Sequence, residues 1–84
     1  MDKVYLVHLE FTNGWIQQNQ TRVALSIEKA KEILRDWAEN EIKNSWISAY
    51  KDYEDYQFDD TYFHAQKYED LSTTIWIEEK EIEE

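Results

Sequence analysis

From Lys3 to Phe11 the chain runs Val4-Tyr5-Leu6-Val7-His8-Leu9-Glu10-Phe11, a β-branched and aromatic pattern that predicts a strand. With a side-chain period of two, Tyr5, Val7, Leu9 and Phe11 share a continuously apolar face, while Val4, Leu6, His8 and Glu10 grade from apolar to polar on the other. The first face is expected to meet the core. Asn13-Gly14 follows, the strongest turn signal in the chain, because both residues tolerate the positive φ of a tight hairpin. Two continuations are open: a short hairpin that resumes at Trp15, or a longer loop through Gln17-Gln18-Asn19-Gln20 with pairing from Thr21. In either case the second strand is expected to include at least residues 21–25.

Ser26 suits a helix N-cap, with Glu28 in the first turn complementing the helix dipole and Leu25 placed to staple against Ala30. Ile27, Ala30, Leu34, Trp37, Ala38 and Ile42 then recur at helical spacing, widened by Ile33, and predict an amphipathic helix. Its other side alternates in sign through Glu28, Lys31, Glu32, Arg35, Asp36 and Glu39, as a solvated helix face does. The helix is expected to fray or bend near Asn44-Ser45. Because Trp46, Ala49, Tyr50 and Tyr53 keep helical spacing, a second short helix or bent continuation to about Asp55 is also expected. Residues 61–68 and 73–82 read as a closing hairpin around Glu69-Asp70-Leu71-Ser72, with Ile75 and Ile77 on one face and Trp76 and Glu78 on the other. The assembled expectation is an α+β fold: a two-layer ββαββ domain over residues 1–84, its antiparallel sheet packed on one amphipathic helix, with room for a second short helix.

Composition narrows what such a domain can do. Eighty-four residues leave room for one core, and a chain of this size buries only about 60% of the surface its unfolded form exposes. The chain has no Cys, which removes thiol chemistry and thiolate zinc sites and fits a reducing cytosol. With no Pro and only Gly14, it has no glycine-rich phosphate loop or dinucleotide fingerprint. The apolar run 4–9 is too short for a secretory core or a membrane span, so an intracellular protein is expected. Nineteen acidic side chains against nine basic give a net charge of -10, which argues against direct binding to nucleic acid or to an anionic membrane. A hydrophobic share of 42% is nevertheless too high for a disordered acidic tail.

The charge is unevenly placed. Residues 1–51 hold seven acidic and seven basic side chains, whereas residues 52–84 hold twelve acidic ones and only Lys67 and Lys80. Acids and rings interleave there: Tyr50, Asp52, Tyr53, Glu54, Asp55, Tyr56, Phe58, Asp59, Asp60, Tyr62 and Phe63. On a strand, Glu79, Glu81 and Glu83 would share one face at about 6.8 Å intervals, a spacing comparable with that of phosphates along a nucleic-acid strand. Such a surface is suited to engaging a basic groove, with the carboxylates steering association and the Tyr rings accepting Arg stacking. The candidate partner-binding residues are therefore Asp52, Glu54, Asp55, Asp59 and Asp60, then Glu69, Asp70, Glu78, Glu79 and Glu81, with Tyr50, Tyr53 and Tyr56. The plainer alternative is that acidity keeps a small aromatic-rich protein in solution.

Other chemistry finds little support in the pattern. His8-x-Glu10 and Asp60-x-x-x-His64 are the only pairings that suggest a metal, and neither has a metal-site spacing. The serines lack a nucleophile-elbow context. No metal, no cofactor and no enzymatic activity is expected. Among the tryptophans, Trp37 belongs to the helix stripe, Trp15 is the best candidate for an exposed ring, and Trp76 is placed to cover a second sheet face or a dimer contact.

The strand Lys3-Val4-Tyr5-Leu6-Val7, the helix opening Ser26-Ile27-Glu28-Lys29-Ala30-Lys31-Glu32-Ile33-Leu34 and the acidic closing strand Trp76-Ile77-Glu78-Glu79 are together similar to a small βαββ pattern found in proteins encoded by phages and prophages of Gram-positive bacteria. In architecture and composition the chain resembles the acidic DNA mimics of that group, anti-CRISPR inhibitors of Cas9 and inhibitors of uracil-DNA glycosylase among them. The resemblance implies an inhibitor acting in the bacterial host cytoplasm on a basic nucleic-acid-binding protein, either a Cas9-type nuclease or a DNA-repair enzyme, as a monomer or homodimer. For a Cas9-type target, the surface to occupy would be the arginines that read the protospacer-adjacent motif. The alternative is a homo-oligomeric accessory or regulatory protein, self-associating through Trp15, Trp76 and the aromatic run without mimicry.

Overall fold

The computed structural model describes residues 3–49 and 52–82. Its elements are strands β1 (Lys3–Thr12) and β2 (Gln17–Ala24), helix α1 (Ile27–Asn44), a 3-10 turn (Trp46–Ala49), and strands β3 (Asp55–Phe58), β4 (Tyr62–Tyr68) and β5 (Leu71–Glu81). All strand pairs are antiparallel, in the order β2-β1-β5-β4-β3, and α1 lies across one face of the sheet. The fold is α+β, with one strand more than the expected ββαββ.

β1 and β2 form a hairpin closed at Asn13, whose N–H donates to Ile16 O at 3.2 Å and whose Oδ1 accepts from the N–H groups of Trp15 and Ile16 at 2.9 and 2.8 Å. Gly14 takes φ +88°, the left-handed region that favours glycine. Pairing begins at Thr12↔Gln17, so the Gln-Asn run is strand from its first residue. The strand stops at Ala24. Leu25, expected to end it and to staple against Ala30, is 81% exposed and does neither. Ser26 does cap the helix, its hydroxyl accepting from Lys29 N at 3.1 Å.

The helix stripe packs as its spacing requires: Ala30, Ile33, Leu34 and Ala38 are buried, with Ile27, Trp37 and Ile42 against their rim. They meet the sheet face carrying Val7 and Leu9 of β1, Phe63 and Ala65 of β4, and Ile75 of β5. Burying a large aliphatic or aromatic side chain contributes about 1.5–3 kcal/mol, so these few residues supply most of the fold's driving force.

The expected second short helix shrinks to one 3-10 turn and does not run on to Asp55, where β3 begins. Ser45 turns to extended backbone, its N–H and hydroxyl both donating to Glu41 O. A single 3-10 turn follows, whose Ile47 is buried. Trp46 Nε1 donates to Thr73 Oγ1 at 2.9 Å, and the Tyr53 hydroxyl donates to Ile47 O at 2.5 Å. The three-to-four-residue spacing of these rings thus reflects loop packing rather than a helix. From Asp55 the period becomes two: Tyr56 and Phe58 face the core side and Asp55 and Gln57 the other, in register with β4 as Tyr56↔Ala65 and Phe58↔Phe63.

Candidate partner-binding surface

The strand order places β3 at one edge of the sheet and β2 at the other. Asp52 and Glu54 lead into β3, Asp55 lies on it, and Asp59 and Asp60 follow it in the connection to β4. All five are exposed, as is every residue of β3. Residues 52–60 are therefore neither a helix nor a continuous loop, but an edge strand with carboxylates at both ends.

Glu69 and Asp70 occupy the β4–β5 turn, beside Gly14 of the first hairpin. Glu78, Glu79 and Glu81 lie at the far end of β5, beyond its last pairing with β4 at Trp76↔Tyr62. Eight residues of strand separate Asp70 from Glu78, about 27 Å, so these five acids form two groups at opposite ends of the sheet. Glu79 and Glu81 do share a face, that of Tyr5 and Lys3 across the ladder, while Glu78 points to the opposite face. Glu83 and Tyr50 lie outside the described residues.

Four of the ten candidate acids have a cation or histidine close by: Asp60 is 3.8 Å from Lys31 of α1, Glu79 is 3.4 Å from Lys3, Glu78 is 2.9 Å from His8 Nε2, and Asp55 is 3.6 Å from His64 Nε2. All four carboxylates are largely in solvent, where such pairs contribute about 0–1 kcal/mol and can exchange for another cation. Asp52, Glu54, Asp59, Glu69, Asp70 and Glu81 make no ion pair among the described residues.

Aromatic rings back the β3 edge. Tyr53 packs on Tyr56 with centroids 5.3 Å apart, and Tyr56 and Phe58 each meet Phe63 edge-on at 5.8 and 5.3 Å. Tyr53 is held inward, while Tyr56 is 45% exposed. Burial, with a smaller contribution from Tyr53, raises the Tyr56 phenol above its ordinary value.

On the face opposite α1, His8 stacks on Trp76 at 5.0 Å and Tyr62 on His64 at 6.3 Å. His8 Nδ1 lies 3.1 Å from Thr21 Oγ1 of β2, and His64 Nδ1 lies 2.8 Å from Thr74 Oγ1 of β5. The period of two placed Trp76 on this second face, as expected, but the histidine links across strands had no signature along the chain. The side chains of the two metal pairings turn to other partners: His8 to Thr21 and Glu78, Asp60 to Lys31, and His64 to Thr74, Asp55 and Gln66. Among the described residues, no group of three His, Asp or Glu side chains is arranged to hold a metal ion. Between the first hairpin and α1 lies a hollow of about 360 Å³ lined by Phe11, Gln18, Gln20, Trp37, Glu41 and Trp46. Burial raises the Glu41 carboxyl above its usual value. One carboxyl among indoles and amides provides no paired acid and base.

No described helix is long and apolar enough to cross a membrane. No family model, curated protein or solved structure matches the chain.

Proposed function

We propose that this chain is a non-enzymatic inhibitor that occupies the basic nucleic-acid-binding cleft of a partner protein, using the β3 edge as its contact surface. The observation that carries the reading is the placement of Asp52, Glu54, Asp55, Asp59 and Asp60 around one short edge strand. An edge strand with carboxylates on both faces and Tyr56 exposed on one of them offers arginines both charge-assisted hydrogen bonds and a ring to stack on. The acids at the two ends of β5 extend the negative field and steer association, since potentials add over distances at which single contacts do not form. On this reading the partner is a Cas9-type nuclease or a DNA-repair enzyme of the bacterial host cytoplasm, and the acids displace DNA from the arginines that would read it.

The test uses immobilised protein, a panel of purified Cas9-type nucleases and DNA-repair enzymes, and a salt gradient with and without competing duplex. Retention that salt and duplex both abolish is the expected result. A variant with Asp52, Asp55, Asp59 and Asp60 as Asn and Glu54 as Gln should lose most of its inhibition and flatten its salt dependence. Equal potency of that variant would overturn the proposal.

A further inference from the structure

We infer that the free edge of β2 seats a second copy of this chain, joining two five-stranded sheets into one. From Phe11 to Ile27, seventeen residues contain no Asp or Glu and a single basic side chain, Arg22. The structure makes the middle of that stretch an edge strand of eight residues, seven of them exposed. An unpaired strand edge is a template for another strand, and proteins blunt it with charge, proline or brevity. β3 is short and flanked by carboxylates; β2 is long, free of proline and nearly uncharged.

Four exposed apolar side chains lie at the two ends of β2: Trp15 at 94% and Ile16 at 52% precede it, Val23 at 61% is its last residue but one, and Leu25 at 81% follows it. A two-fold axis normal to the sheet pairs the strands antiparallel and keeps both helices on the same side. Like faces then meet, so the numbers of paired residues sum to an even value. With the axis at Gln20, Gln17 meets Val23 of the second copy, Ile16 meets Ala24, and Trp15 meets Leu25. Centring on Thr21 instead sets Leu25 against Gln17 and leaves Trp15 beyond the ladder, while centring on Asn19 sets Ile16 against Arg22 and leaves Leu25 beyond the ladder, so bringing Trp15 and Leu25 together selects Gln20. Beside Leu25 lies an open hollow of about 530 Å³, lined by Tyr5, Ile27 and Ile82 among others, into which the facing Trp15 can settle. The Asn13 turn presents that indole from an ordered backbone, so little loop entropy is lost on docking.

Charge selects the same edge. Two copies at -10 each repel, but in this arrangement the β3 edges stand at the extremes of the joined sheet. Nine strand spacings of about 4.8 Å separate them by about 43 Å, against a screening length of about 8–10 Å. Both acidic edges stay free, so the pairing is independent of the function proposed for them.

Sedimentation of the full chain from sub-micromolar to millimolar concentration should show a monomer–dimer equilibrium. Trp15→Ser, a change at a fully solvated ring, should raise the dimer dissociation constant about tenfold or more while leaving the circular dichroism unchanged. Gln20→Cys should link to its own copy on oxidation, because directly facing β-carbons lie close enough for a disulfide after small adjustment, whereas Gln18→Cys, which faces Arg22, should not. A monomer at every concentration overturns the inference, including one that instead captures an extended peptide. So does a dimer that is indifferent to Trp15→Ser, or equal linking by the two cysteine variants.

Discussion

The two edges of this sheet are held and guarded by different forces. β2 is bonded to β1 along all eight of its residues, but only Ala24 among its side chains is buried. It is a strand kept by its ladder and its turn. β3 has half the length, and Tyr56 and Phe58 fasten it edge-on to the fully buried ring of Phe63. In β2, backbone pairing with little side-chain packing goes with an edge that carries one charge, Arg22, and is open to more pairing. Ring packing allows a much shorter strand, which the flanking carboxylates then close to other strands. Position in the sheet thus separates a surface suited to a basic partner from one suited to a copy of itself.

The sharpest way to break the contrast is Phe63→Ala. Truncating a fully buried Phe costs about 3–5 kcal/mol, and here it also removes the ring that both β3 aromatics rest on. In amide exchange, residues 55–58 should lose protection well before 17–24, with urea melts giving the total. Equal loss at both edges would mean that the rings do not localise β3. Next in size is Thr73→Val, which removes the acceptor of the Trp46 indole and leaves its part-buried donor without that bond. The expected loss is about 1–3 kcal/mol, with exchange quickened through the 3-10 turn that leads towards β3. Unchanged stability would show that water replaces the hydroxyl.

These two variants act where the pattern along the chain was misleading. β1, α1, β4 and β5 were legible because their apolar residues keep a single period, and the Asn13-Gly14 and Ser26 signals act within a few residues. β3 was not. Trp46, Ala49, Tyr50 and Tyr53 are spaced like a helix stripe, Asp and Glu are poor strand formers, and only pairing with β4 makes residues 55–58 extended. Leu25 failed in the opposite direction: a staple was legible locally, but the chain leaves the strand with that side chain in solvent. For the surface, exposure of the acids followed from their charge and the 52–60 cluster from its contiguity, but the place of that cluster at a sheet edge did not. That place depends on the strand order, with β5 between β1 and β4, which no periodicity encodes. The link of His8 to Glu78 depends on the pairing of β1 with β5, and that of His64 to Asp55 on the pairing of β3 with β4.

Gly14→Ala tests the other edge and should cost about 1–2 kcal/mol, the strain of a β-carbon in the left-handed region. The new methyl would lie 2.5 Å from Asp70 Oδ2, but that is the free end of a flexible side chain and can swing away. The loss should therefore reflect backbone strain and appear as faster exchange over 17–24 with 55–58 unchanged, the mirror image of Phe63→Ala. Equal quickening at both edges would show that the hairpin and β3 open together.

The smallest effect, and the most selective, is expected from Glu41→Gln. Glu41 lines the hollow beneath the first hairpin together with Gln18 and Gln20 of β2, and burial raises its carboxyl above the ordinary 4.5. A raised folded-state value means that the folded protein holds the proton more tightly than the unfolded chain. The associated stability is fully present below 4.5 and is lost as pH rises through the folded value. At neutral pH the ionised carboxylate therefore weighs against the fold, and glutamine removes that burden while keeping the shape. Stability of the variant relative to the native chain should rise across the mildly acidic window above 4.5 and then stay level. Since the hollow adjoins β2 and not β3, the pH-dependent part of exchange should be confined to 17–24. Stability curves that run parallel through that window would show that Glu41 is solvated in both states, and that the underside of β2 is as open to water as its edge.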